Sequence, residues 1–211
     1  MPSALGKVIE SFPHPTIQPI VGQPTHETLT EVHLKLNTNA ASIHSHLGNG
    51  QLGILFLTIA PAIYNTQSNI VFVPPANPGP SLVIPQGLTA AQIADIRRQY
   101  NVDSALYTKY GITAKALKSL LIATVDETYL RSLQEKYIGY ANVTTKEMLA
   151  HLYLAYAKIS DGDLEDNDKR MRADYDVNQP MEVLIKQVNN AVEITAAADN
   201  LYSAEQVVPA A

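Results

Sequence analysis

The chain has 211 residues, 46% of them apolar and 17% charged, with a net charge of -5. That is about one and a half typical domains, with enough apolar material to argue against global disorder. The mild acidity argues against a chain built mainly to bind phosphate, and the absence of Cys removes disulfides, thiolate zinc sites and a Cys nucleophile together.

Residues 1–24 carry Pro2, Pro13, Pro15, Pro19 and Pro24. Proline disfavours helix at itself and at the residue before it, so this segment is expected as an extended arm. Thr28 and Glu31 have capping-box spacing and open a helix with Leu29, Val32, Leu36 and Ala40 on one stripe. That helix is expected to stop at Gly48-Asn49-Gly50. The apolar runs around Ile54–Leu57 and Ile70–Val73 read as two short strands in a hairpin-like element, with a helical turn between them. Residues 74–87 hold Pro74, Pro75, Pro78, Pro80 and Pro85 with two glycines, which marks a linker or long loop.

From residue 88 onward the periodicity is helical. Thr89 and Gln92 form a capping box, and Ile93, Ile96, Tyr100, Tyr107 and Tyr110 follow at helical steps until Gly111, read as a break. Leu117, Leu120, Leu121 and Thr124 make the next stripe, and Tyr129, Leu130, Leu133 and Tyr137 another, ending at Gly139. Thr144 with Glu147 caps a helix bearing Met148, Leu149, Leu152, Tyr153 and Tyr156. Residues 161–172 read as a charged helix, acids first and bases last, in accord with the helix dipole. Pro180 precedes a helix with Met181, Leu184, Ile185, Val188 and Val192 on one face. Ser203 with Gln206 looks like one more helix start, with almost no chain after it, so the sequence reads as a piece of a longer protein. The fold class expected is mainly α, a multi-helix bundle with an extended arm and a small β-hairpin-like element. The segments are 1–24 (arm), 25–87 (helix, short strands and linker), 88–176 (helical domain) and 177–211 (start of a second helical lobe).

Catalytic signatures fail. No Gly-rich phosphate loop, Gly-x-Ser-x-Gly elbow or His-Glu-x-x-His pair is present. His44 and His46 lack a third ligand nearby, and the acids from Asp161 lack the Gly and Glu that a calcium loop needs at its sixth and twelfth positions. No enzyme and no cofactor is expected. The N-terminus carries no secretory pattern, and the longest apolar stretch, Ile54 to Ile63, is too short to span a bilayer. The expectation is a cytoplasmic protein with no membrane partner.

Several stretches go further. Phe12-Pro13-His14-Pro15-Thr16, Ile20-Val21-Gly22-Gln23-Pro24-Thr25, the Gly-rich turn and apolar strand expected around Gly48 to Leu57, and Val73-Pro74-Pro75-Ala76-Asn77-Pro78-Gly79 belong to them. So do Ala116-Leu117-Lys118, Val125-Asp126-Glu127-Thr128-Tyr129-Leu130, Asn142-Val143-Thr144-Thr145 and Leu164–Met171. The last are Pro180–Gln187 and Tyr202–Val207. In order and spacing these resemble the Gag-like capsid region of copia-type LTR retrotransposons, especially those abundant in diatom genomes. The resemblance implies helical lobes, with 88–176 similar to a capsid N-lobe, that self-associate into a shell around element RNA. It implies that Gln179, Pro180, Glu182 and Leu184 belong to a self-assembly surface, with a Gln–Glu spacing shorter than the retroviral pattern. The zinc knuckle common in Gag proteins needs Cys, so RNA packaging would rest on a segment outside this chain. Alternatives are an adaptor domesticated from such an element, an enzyme of unrecognised type, and a nucleic-acid-binding module. The last would use Arg97, Arg98, Lys109, Lys115 and Lys118.

Overall fold

The computed structural model describes residues 3–176 and 178–198. Its α-helices are α1 (Ala4–Glu10), α2 (His26–Ser42), α3 (Pro61–Gln67), α4 (Ala90–Thr124), α5 (Glu127–Leu130), α6 (Thr145–Tyr156), α7 (Asp161–Met171) and α8 (Met181–Ala197). The protein is mainly helical and has no sheet among the described residues; one isolated bridge joins Glu135 and Gly139. The described residues up to 21, with 31–151, form one compact unit. Residues 22–30, with the described residues from 152 onward, form a second.

The expected extended arm is partly helix. No proline falls between Pro2 and Pro13, and Ser3 accepts from the Gly6 amide at 3.1 Å, so α1 forms and packs on α4. The rest of the segment is held in the first unit. Phe12 and Ile17 are buried, and Asn39, fully buried on α2, grips both backbone groups of His14. The Asn39 amide nitrogen donates to the His14 carbonyl and its oxygen accepts the His14 amide, each at 2.8 Å. Farther on, the Ile20 amide donates to the Thr124 carbonyl at 2.8 Å.

Helix α2 starts earlier than expected. Thr25 and Thr28 cap each other, the Thr28 hydroxyl accepting the Thr25 amide at 2.9 Å, while Glu31 pairs with Lys35 at 2.6 Å. The hairpin is absent. Gly53, at φ +54°, turns the first apolar run into 3₁₀ turns at Gly50–Leu52 and Leu55–Leu57, and a Cβ there would collide with the Ala41 carbonyl. Ile54, Leu57 and Ile59 are buried by this folded-back turn rather than by strand pairing. The helical turn expected between the runs is α3, with Pro61 in its first turn. The second run, Ile70–Val73, forms no strand: Ile70 lies in a bend, and residues 71–73 are irregular and make no backbone–backbone hydrogen bond with a described residue.

Thr89 and Gln92 do form a capping box on α4. Gly111 does not break that helix, which runs for 35 residues; one helical glycine costs about 1 kcal/mol relative to Ala, which the packing of Thr113, Ala116, Leu117, Leu120 and Leu121 offsets. The stripe expected from Tyr129 to Tyr137 is α5, a 3₁₀ turn at Arg131–Leu133, and a turn that leaves Tyr137 exposed. An aromatic cluster completes the first unit: Phe56 stacks on Phe72 at 4.6 Å, with Tyr64 edge-on to both.

In the second unit α7 and α8 pack together. The Asn167 amide donates to the Ala191 carbonyl at 3.0 Å, and Gln187 donates to the carbonyls of Arg170, Met171 and Ala173 at 2.8–3.1 Å. Asn167 meets Ala191, while Arg170 and Met171, farther along α7, meet Gln187, one turn earlier in α8, so the two helices run antiparallel. The expected helix start at Ser203 lies outside the described residues.

Two outcomes follow from these contacts. Asn39→Leu leaves both His14 backbone groups unpaired and lowers the unfolding free energy in urea by about 2–4 kcal/mol. Burial holds the His33 pKa below 6.5, against the opposing bond to the Thr58 carbonyl at 3.1 Å. As pH falls below 6.5 the unfolded chain takes up the proton first, so stability declines until the pH reaches the folded pKa and then levels. Urea midpoints measured from pH 7 down to pH 5 show this decline, and His33→Gln removes it.

Candidate functional site

The residues singled out on the sequence fall in three places. Pro180 is the N-cap of α8, with ψ 143°, so the helix begins at Met181. Gln179 is exposed; its amide donates to the Asp176 carbonyl at 2.8 Å and its carbonyl accepts the Tyr175 hydroxyl. Glu182 is exposed in the first turn, where its carboxylate suits the helix dipole. Leu184 is half-buried.

The α8 face read as a single apolar stripe is divided. Ala191 and Thr195 are buried, and Leu184, Val188 and Val192 are half-buried. Met181 and Ile185, one turn apart, stay 57% and 53% exposed, and Val183 between them is 45% exposed. Periodicity marks which residues share a face but not how far along the helix its neighbour reaches. The first two turns of α8 therefore present apolar side chains beside Gln179, Pro180 and Glu182.

The basic residues do not converge. Arg97 and Arg98 are exposed near the start of α4, and Arg98 lies 3.4 Å from Asp95. Lys109 donates to the His44 carbonyl at 2.6 Å. Lys115 is exposed. Lys118 is spent on the fold: its ammonium donates to the carbonyls of Tyr140, Ala141 and Val143 at 2.8–3.1 Å. Burial, and then the nearby Lys115 charge, lower its pKa, while Glu147 acts in the opposite sense. Those carbonyls precede α6, whose cap is the reciprocal Thr144–Glu147 pair. Lys118 thus fixes the entry to α6 from a position 22–25 residues earlier, which no local pattern reveals.

A cleft of about 590 Å³ opens in the second unit, lined by His26, Glu27, Lys158, Asp163, Asp166 and Arg170 among others. Its acids have partners within the unit. Glu27 pairs with Arg170 at 2.9 Å, Asp166 with Lys169 at 3.2 Å, and Asp163 caps α7 through Ser160. The capping bonds to Ser160 hold the Asp163 carboxyl below the usual range. These residues form structural pairs rather than a convergent acid–base set. No group of three or more His, Cys, Asp or Glu residues gathers at metal-binding distance among the described residues, and no described helix is long and apolar enough to cross a membrane.

Lys118→Met removes three bonds from an ammonium and lowers the urea unfolding free energy by about 1–3 kcal/mol. Filter binding to single-stranded RNA is unchanged by this variant, because the group is already committed. Comparison with protein-family models, with curated proteins and with solved structures finds no match for this chain.

Proposed function

We propose that this chain is a non-catalytic structural protein of Gag-like capsid type, whose copies self-associate in the cytoplasm into a shell around element RNA. The observation that carries the reading is the start of α8. Met181, Val183 and Ile185 stand exposed within five residues, beside the positions where the Gag-like resemblance puts an assembly surface. Burying such side chains in a contact contributes about 1.5–3 kcal/mol each, and a shell needs many weak, repeated contacts of this kind. Asp, Glu, Lys and Arg are kept off the exposed apolar positions themselves, and Glu182 and Lys186 flank them as a polar rim.

RNA is held by segments outside this chain on this reading. The net charge is -5, and Lys118 is bound to backbone. Arg97, Arg98 and Lys115 remain as weak secondary contacts to RNA on an exposed helix.

Light scattering across concentration and salt measures the mass of the purified chain, and negative-stain electron microscopy images the heaviest fraction. Particles, tubes or rings are expected at high concentration. The double variant M181D/I185D weakens association by about tenfold or more at unchanged helicity, as expected when charges enter an apolar contact. A strict monomer at every concentration overturns self-assembly by these residues.

A further inference from the structure

Of the asparagines in this chain, Asn49 alone is followed by glycine. An asparagine side chain carries a carbonyl carbon that the amide nitrogen of the next residue can attack, because the two close a five-membered ring. Glycine at that next position has no Cβ to crowd the approach. Gly50 is exposed, and its amide donates no hydrogen bond to a described residue. The Asn49 carboxamide oxygen accepts the Gln51 amide at 3.1 Å, and a donor on that oxygen stabilises the charge that develops there during attack. Nucleophile, electrophile and donor are thus three consecutive residues.

The folded turn keeps the reacting atoms apart. Closing the ring needs the Gly50 nitrogen on the Cβ side of Asn49, which for an L residue means a strongly negative ψ, and Asn49 stands at ψ 111°. Its neighbours hold that angle. The Asn49 amide donates to the Tyr64 hydroxyl at 3.1 Å, and Tyr64 is fully buried. The Asn49 carbonyl accepts the Leu52 amide at 3.0 Å, and the Gly50 carbonyl accepts the Gly53 amide at 3.3 Å. Gly48 lies at φ +59°, where a Cβ would come within 2.5 Å of the Tyr64 hydroxyl and 3.2 Å of Phe72.

We infer that Asn49-Gly50 is a self-modifying site that the fold keeps silent: when the turn opens, Asn49 converts to aspartate or isoaspartate, and the isoaspartate chain does not return to the native turn. In the first step the Gly50 nitrogen bonds to Asn49 Cγ and gives up its proton, while the bond from Cγ to Nδ2 breaks and that nitrogen leaves as ammonia. One water then opens the cyclic imide, so nothing but water is consumed. Attack at Cγ yields aspartate. Attack at the Asn49 backbone carbonyl yields isoaspartate, whose main chain runs through Cβ and is one atom longer. Aspartate keeps an oxygen for the Gln51 amide and is compatible with the turn. The longer main chain is not, because it directly follows Gly48, which has no room for even a Cβ. Either product also sets a carboxylate into residues 36–94, which otherwise contain no Asp, Glu, Lys or Arg. The inference stands apart from the proposed function and needs neither a shell nor RNA.

The full chain is incubated in neutral buffer with and without guanidinium chloride, and its peptides are followed by mass spectrometry. Replacement of NH by O marks conversion, and chromatography separates the two isomeric products. Conversion at Asn49 is expected at least about tenfold faster in the denatured chain than in the folded one, since only the open state reacts. The Gly50→Ala variant, whose Cβ crowds the nucleophile, reacts about tenfold slower than the unsubstituted chain when both are denatured. After the denaturant is removed, the aspartate chains and an Asn49→Asp variant regain the native guanidinium midpoint, whereas the isoaspartate chains do not. Equal rates with and without denaturant, or denatured Gly50→Ala reacting as fast as the unsubstituted chain, overturn the inference. So does an isoaspartate chain that refolds with the native midpoint.

Discussion

Long stretches of this chain are neither helix nor sheet, and their backbone amides and carbonyls must still be satisfied wherever they are buried. Without strands to pair with, side chains do that work. Asn39 is the clearest case: one fully buried amide closes both groups of His14 and so fixes the segment that brings Phe12 and Ile17 into the core. Lys118 does the same for the turn before α6, and Gln187 for the end of α7. Each ties a loop to a helix, and each is worth more than its single-bond value because its loss strands several partners at once.

Surface electrostatics contribute little beside these anchors. The ion pairs of α7, among them Lys169 with Glu165 at 3.0 Å and Arg172 with Asp168 at 3.2 Å, join exposed side chains and are screened by solvent. They serve helix α7 locally, together with its Ser160–Asp163 capping box. What joins α7 to α8 is the buried Asn167–Ala191 bond, with Met171 and Ala191 packed between the helices. The charge distribution matters in another way. Ions crowd into residues 161–172 and are missing from 36–94, so the uncharged stretch is left with exposed apolar side chains such as Ile70, Val71 and Val73.

What the sequence by itself determined was local. The capping pairs Thr89–Gln92 and Thr144–Glu147, the start of α8 after Pro180 and the helix over the acid-then-base run at 161–172 are interactions across three or four residues, written in adjacent letters. The helical class follows from them. Only the tertiary structure decided the rest. Whether Gly111 interrupts a helix depends on what packs around it, and a short apolar run becomes a strand only if a partner strand reaches it; Gly53 and the buried turn at Ile54–Ile59 took that partner away. Lys118 looked like a surface cation because its carbonyl partners lie 22–25 residues distant. Met181 and Ile185 share a face with Val188 and Val192 in the sequence pattern, but periodicity names a face without saying where its cover ends, and the first two stay exposed. Local bonds are fixed by neighbours in the chain, whereas burial and long-range satisfaction are properties of the whole packed molecule.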